Sequence, residues 1–280
     1  AVDLPWPVVV PHSDGAGVIA DVGQGVDPGR IGQRVWIWNG QWQRPLGTAA
    51  SKITVPSEQA VKLPDSVDLV TGAVLGIPGL TACFAVFSGG EVAGKTVLVQ
   101  GGAGTVGHLA VQLAKWGGAF VISTCSPGAR DRVFKAGADV VLDYSGPDQA
   151  AQILAANCGS PVDLIVEVEF GVNVQVDAQV IAENGRIAAY GSAQNMAPEL
   201  PFYSLMFKAV TLQTVLIYLL TPEQRSATVG KLTQALEAGA LVCDIEKVLP
   251  MENAIEAHEL VEAGNRKGAI LIQTSSDPWK

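Results

Sequence analysis

The sequence predicts an α/β protein in which a doubly wound parallel sheet is joined to a β-rich region. From about residue 92 onward, apolar runs of strand length alternate with amphipathic segments of helix length, the signature of repeated βαβ units. Ahead of them, residues 1 to about 64 read as short strands punctuated by Gly, Pro and Asn. With 280 residues, 48% hydrophobic and 16% charged, the chain can bury a core as one large domain or as two ordinary ones.

In the first part the expected strands are VVV (8–10), GVIADV (17–22), RVWIWNG (34–40), KITVP (52–56) and AVKLP (60–64). Residues 69–90, LVTGAVLGIPGLTACFAVFSGG, carry no charge and reach the length of a membrane span. Pro78 and the glycines of GIPGLT would break such a helix in its middle, so two short buried elements joined at positions 76–79 are expected instead. The sheet strands are then predicted at 96–100, 120–124, 139–144, 162–168, 186–191 and 210–220, with helices near 105–116, 128–136, 147–157, 172–182 and 222–238. The tail reads as a strand (241–250), a helix (251–264) and a strand (268–273) that return to the first domain. The expected division is 1–90, 91–220 and 221–280, the last containing a helix that completes the sheet domain and then the return.

The formal net charge is -9, from 27 acidic and 18 basic residues, which disfavours nucleic acid as a partner. Cys83, Cys125, Cys158 and Cys243 lie far apart with no C-x-x-C pair, and the three histidines are His12, His108 and His258. Free thiols in the cytoplasm and no metal site are the expectation. No signal peptide is read; the start at AVDLPWP without a Met is taken as a loss at that end.

The chemistry concentrates in VLVQGGAGTVGHLAVQLAKWGGAFVIST, residues 97–124. Gly102, Gly104 and Gly107 satisfy G-x-G-x-x-G directly after a strand and at the mouth of a helix, the setting that the dinucleotide fingerprint of a Rossmann fold requires. Glycines there let backbone N–H groups approach a pyrophosphate whose charge sits at the positive end of the helix dipole. At the end of the next strand an NAD enzyme places a carboxylate for the ribose hydroxyls. Here the chain reads STCSPGARDR, with no carboxylate before Asp131; Ser126 offers a hydroxyl and Arg130 a planar cation suited to a 2′-phosphate. NADPH is therefore favoured over NADH, the plainer reading of Arg130 being a solvated helix residue.

Five stretches in order, SDGAGVIADVGQGVDPGRIGQRVW, AVKLPDSVDLVTGAVLGIPGLTA, VLVQGGAGTVGHLAVQLAKWGG, KAGADVVLDY and AIEAHELVEAGNRKGAILI, resemble the zinc-independent quinone oxidoreductase branch, the zeta-crystallin type, of the medium-chain dehydrogenase/reductase superfamily. The resemblance runs from about residue 8 to 272. It implies a GroES-like β domain, discontinuous and N-terminally incomplete, beside a Rossmann domain that binds NADPH. Family members carry roughly fifty residues ahead of SDGAG that this chain lacks, among them polar groups of the substrate pocket.

Residue by residue, the resemblance implies that Thr81 lies near the nicotinamide or phosphate and that Gly101, Gly102, Ala103, Gly104, Thr105 and Val106 cradle the pyrophosphate. Ser126, Arg130 and Tyr144 would surround the 2′-phosphate. Glu169, Tyr190, Gly191 and Ser192 would line the nicotinamide ribose, and Arg266 and Lys267 would close over the cofactor. The positions of the G-H-E zinc motif of related alcohol dehydrogenases hold Ser13 and Asp14 after His12, so zinc-dependent alcohol oxidation is not expected.

VWIWNGQW, residues 35–42, brings Trp36, Trp38, Asn39 and Trp42 together. Trp38 and Asn39 are candidate contacts for a flat acceptor, against the alternative that these tryptophans are core of the β domain. No catalytic acid is assigned, because a quinone that accepts hydride can be protonated by water. The apolar strand 210–220 is expected at a sheet edge, and in relatives it pairs with its twin, which implies a homodimer. Three readings follow: an NADPH-dependent reductase of quinones or enones, a reductase of enoyl thioesters or aldehydes, and a non-catalytic NADPH-binding protein of the crystallin kind.

Overall fold

A computed structural model of the chain describes residues 6–264 and 266–275. The chain forms two compact units, one of Ala1–Leu80, Leu236–Gly239 and Cys243–Lys280, the other of Thr81–Ala235 and Ala240–Val242.

The first unit opens with an antiparallel sheet of β1 (Gly15–Val18), β2 (Arg34–Ile37) and β3 (Ala60–Lys62) in that order, with Gly15 opposite Ile37 and Val35 opposite Lys62. Trp36 of β2 is fully buried. Arg30 locks the sheet by donating to the Ser57 hydroxyl at 2.6 Å, the Ser57 carbonyl at 3.0 Å and the Ala60 carbonyl. The other expected strands do not form. Val10 makes only an isolated bridge with Leu46 beside Pro45, and residues 52–56 enter no ladder. β1 stops short because the Val22 N–H turns back to the Asp21 carboxylate at 2.8 Å.

α1 (Leu69–Gly72) is capped by Asp68, which accepts from the Thr71 N–H at 2.7 Å. The expected break at positions 76–79 is a wide π turn over Leu75–Gly79, which holds Pro78 inside it and runs on into α2 (Leu80–Phe87). The wider turn accommodates a residue with no N–H to give.

The second unit continues with β4 (Thr96–Val99), α3 (Thr105–Trp116), β5 (Phe120–Cys125), α4 (Arg130–Lys135), β6 (Val140–Asp143), α5 (Gln149–Ala156), β7 (Val162–Glu167), α6 (Phe170–Val180), β8 (Ile181–Ala189), α7 (Phe202–Met206), β9 (Thr211–Thr214) and α8 (Pro222–Glu237). The six strands are all parallel in the order β6-β5-β4-β7-β8-β9. Leu98, Ile122, Ile165 and Ile187 from four neighbouring strands pack with Ile153 of α5 in its core. This is the doubly wound sheet, and the strand order reverses between β4 and β7, the place where such sheets bind ligands.

Two boundaries differ from the sequence expectation. α6 ends at Val180 rather than 182, because Ile181 already pairs with Val162; the ladder then bulges through Asn184, whose φ is +57°, and resumes at Arg186. The apolar run 210–220 gives a strand only over Thr211–Thr214, followed by a 3-10 turn at Ile217–Leu219. Arg186 of β8 donates to the Ala85 carbonyl at 2.8 Å and the Val86 carbonyl at 3.0 Å, satisfying the open end of α2.

The tail supplies the first unit with β10 (Ile245–Pro250), α9 (Ala254–Glu262) and β11 (Ala269–Gln273), the strands pairing in parallel. Among the described residues no helix is long and apolar enough to cross a membrane.

Candidate functional site

The glycine loop joins β4 to α3 at the carboxyl end of the sheet. Gly101, at φ +72°, donates to the Thr124 hydroxyl at 3.1 Å, and Gly102 donates to the Thr124 carbonyl at 2.9 Å. Gly102 and Gly107 are closed positions: a Cβ on the first would strike the Ser123 hydroxyl, and one on the second the Gly101 carbonyl oxygen. Gly104 is different. It is exposed, and a Cβ there would find its nearest protein atom, the Gly101 carbonyl oxygen, at 3.4 Å. Gly104 also caps α3 without any side-chain hydrogen bond, so the N–H groups of Thr105 and Val106 point out of the helix with no intrahelical acceptor. The loop is thus a concave set of donors at a helix N-terminus, kept open by one glycine, and it fits a pyrophosphate.

Arg132 donates to the Ala103 carbonyl at 2.6 Å and so places a cation on the lip of this loop. Sequence reading missed it, since Arg130 and Arg132 lie in one short helix and only the fold decides which reaches the loop. Arg130 is exposed, its guanidinium 5.3 Å from the centroid of Phe134. Ser126 is half-buried at the end of β5, and Tyr144 is 55% exposed.

A carboxylate does stand close by, on the neighbouring strand: Asp143 is paired opposite Cys125. The Ser145 hydroxyl and N–H bind it at 2.7 and 2.8 Å and hold its carboxyl below the usual range.

Beyond β7 and β8 the candidates form a second loop pair. Glu169 accepts from the N–H groups of Ala193 at 3.1 Å and Gln194 at 2.8 Å, so its carboxylate braces that loop. The Ser192 hydroxyl accepts from Gly171 N–H at 2.9 Å and donates to the Asn195 carbonyl at 2.5 Å. Gly191 accepts from Phe170 N–H at 3.0 Å, and a Cβ on it would meet the Val168 carbonyl. The Tyr190 hydroxyl is pushed upward in pKa by burial and by Glu167. Thr81 lies buried near the start of α2.

The remaining candidates belong to the first unit. Trp38 is half-buried and donates through Nε1 to the Glu58 carbonyl at 3.1 Å; Asn39 is buried, with φ +52°. Arg266 reaches the Gly268 carbonyl at 3.5 Å, and the Lys267 N–H donates to Glu246 at 2.6 Å. Among the described residues no group of three or more His, Cys, Asp or Glu side chains could hold a metal ion. The four cysteines are free, and burial pushes the Cys83 thiol up to about 12.

Residues 105–237 match the family described as zinc-binding dehydrogenases. The quinone oxidoreductase of Rattus norvegicus is 29% identical over 267 residues, which cover 94% of this chain and 79% of that one. Over nearly its whole length the chain is thus similar to quinone oxidoreductases. The 2-haloacrylate reductase of a Burkholderia species is 27% identical, with 95% of this chain and 81% of the other covered. A mycobacterial protein solved in complex with NADPH superposes with a TM-score of 0.79 at 28% identity, over 92% of this chain and 81% of that one. These likenesses support an oxidoreductase that uses a nicotinamide cofactor.

Proposed function

We propose that the protein is an NADPH-dependent reductase that delivers hydride to a quinone or to another double bond activated by conjugation. The open glycine cradle at the N-terminus of α3, with Arg132 on its lip, is the observation that carries this reading. Residues 101–106 would hold the pyrophosphate through backbone N–H groups, and Ser126, Arg130 and Tyr144 would surround the 2′-phosphate. Glu169, Tyr190, Gly191 and Ser192 would line the nicotinamide ribose, Glu169 and Ser192 also bracing their loop, with Thr81 as a further cofactor contact.

The cofactor supplies the hydride; the protein binds, orients and excludes water, and orientation is a large share of such catalysis.

The proposal is tested by following NADPH oxidation over a panel of quinones, enones, enoyl thioesters and aldehydes. Turnover confined to quinones and enones is expected, and tight NADPH binding with no oxidation of any acceptor would sink the reductase reading. Arg130→Glu should weaken NADPH binding by about 1 to 3 kcal/mol through loss of a charge-assisted contact, while NADH binding stays unchanged; equal NADPH affinity would remove Arg130 from the site.

We further propose a cytoplasmic homodimer. β9 is the sheet edge, and beside it stand exposed apolar side chains, including Phe207 at 77%, Leu216 at 50% and Leu219 at 65%, a patch of the sort that marks an interface. Light scattering should give a dimer mass, and Phe207→Asp a monomer; a monomeric parent at micromolar concentration contradicts the dimer. The free thiols suit a reducing compartment, and recovery from an oxidising compartment on cell fractionation would contradict that placement.

A further inference from the structure

Four polar side chains are buried under the strand ends at the switch point: Gln100 beyond β4, Thr124 in β5, Glu167 in β7 and Asp177 in α6, none more than 2% exposed. They form two hydrogen-bonded arms that meet at the carboxyls of Asp177 and Glu167. Gln100 donates to Asp177 Oδ1 at 3.1 Å, the Thr124 hydroxyl donates to Gln100 Oε1 at 2.7 Å, and Gly101 of the glycine loop donates to Thr124 Oγ1 at 3.1 Å. At the other end, Glu167 accepts from the Glu169 backbone N–H and from Asn173 Nδ2 at 3.0 and 3.2 Å. Glu169 in turn grips the N–H groups of Ala193 and Gln194.

The link between the halves is the contact of Asp177 with Glu167. Asp177 Oδ2 is buried and meets no donor N–H or O–H, and its carboxyl interacts with that of Glu167. Two acceptors sealed from water bond to one another only with a proton between them, since two buried like charges would repel. Burial raises both carboxyls above their ordinary range, Asp177 furthest, with the charge of Glu167 adding to the rise of Asp177 and that of Glu169 to the rise of Glu167. The other titratable groups acting on Glu167 are Glu169, from the end of β7, and Tyr190, after β8; Gln100, Thr124 and Asn173 are neutral.

We infer that Glu167 and Asp177, joined by a shared proton, are positioning residues that tie the glycine loop to the 192–195 loop and set their spacing for one dinucleotide lying across both. This rests on the reading of the two loops as a dinucleotide site. The pair touches neither the phosphates nor the reacting carbon; it acts through Thr124 and Gly101 on one side and through Glu169 on the other.

Amide hydrogen exchange on the cofactor-free protein tests the tie without reference to activity. Asp177→Ala should speed exchange in residues 101–107 and 192–195 together, and it should weaken NADPH binding about tenfold with kcat unchanged. Asp177→Asn, whose amide can accept from Gln100 and donate to Glu167 at once, should restore both.

Gln100→Met, which leaves the carboxyl pair intact, should loosen 101–107 alone, and this keeps the inference testable if Asp177→Ala does not fold. Exchange that rises evenly over the whole sheet, or an Asn variant as impaired as the Ala variant, overturns the inference. A parent that binds no dinucleotide while Asp177→Ala still loosens both loops overturns the functional reading and leaves the tie standing.

Discussion

Gly104→Val should lower dinucleotide affinity by at least about a hundredfold, or roughly 2.7 kcal/mol, while leaving the unfolding temperature where it is. The residue caps α3 at φ -72°, ψ 160°, a conformation any side chain adopts. A Cβ there has only the Gly101 carbonyl within reach, at 3.4 Å. The valine would therefore fit the protein and fill the cradle. Gly107→Ala is the contrasting case, since its methyl strikes the Gly101 carbonyl oxygen and the Gly102 Cα and should lower both affinity and stability. Calorimetric titration and thermal unfolding of the two variants separate a ligand-facing glycine from a packing one. Unchanged affinity in Gly104→Val would remove the loop from the site.

The second large effect is on stability against pH, and its source is Asp14. The residue as a whole is half-buried, but its Oδ1 is sealed from solvent and has no donor, and burial raises the carboxyl to about 8 against the lowering effect of the Ile77 N–H. Below the unfolded-state value of 3.8 both states hold the proton. As pH rises toward 8 the unfolded chain releases its proton and the folded chain does not, so the folded state loses about 1.4 kcal/mol per unit in this window.

Asp14→Asn removes the titration. Urea unfolding should find it close to the parent at pH 4 and more stable at pH 8, by no more than about 5 kcal/mol. Parallel stability curves for the two proteins would show that Asp14 is ionised in the fold.

Much of the fold was legible because alternation of strand and helix is a local property of the sequence, and each apolar run between 96 and 189 found a place in the parallel sheet. Residues 210–220 show the limit. An apolar run has the same composition whether it is a long strand or, as here, a short edge strand followed by exposed Leu216 and Leu219. KITVP has strand composition but no ladder, since pairing is decided by partners remote in sequence.

The glycine loop was legible because its chemistry lies within a few consecutive residues. Arg132 was not, because its role depends on α4 lying over the Ala103 carbonyl. The Glu167 and Asp177 pair left no signal at all. One residue ends a strand, the other sits in the next helix, and only the packing of α6 on the sheet brings them together. Glu169, read as a ribose contact, also accepts from the N–H groups of Ala193 and Gln194, a loop-bracing contact that only the fold brings together.

The proposed seat for NADPH is the loop of residues 101–106, with its 2′-phosphate among Ser126, Arg130 and Tyr144. Calorimetric titration of the parent protein with NADPH and with NADH under one buffer and salt tests it directly. One site per chain is expected, with NADPH bound at least about tenfold more tightly than NADH, equivalent to about 1.4 kcal/mol. Absence of NADPH binding, or NADH bound as tightly as NADPH, would contradict it.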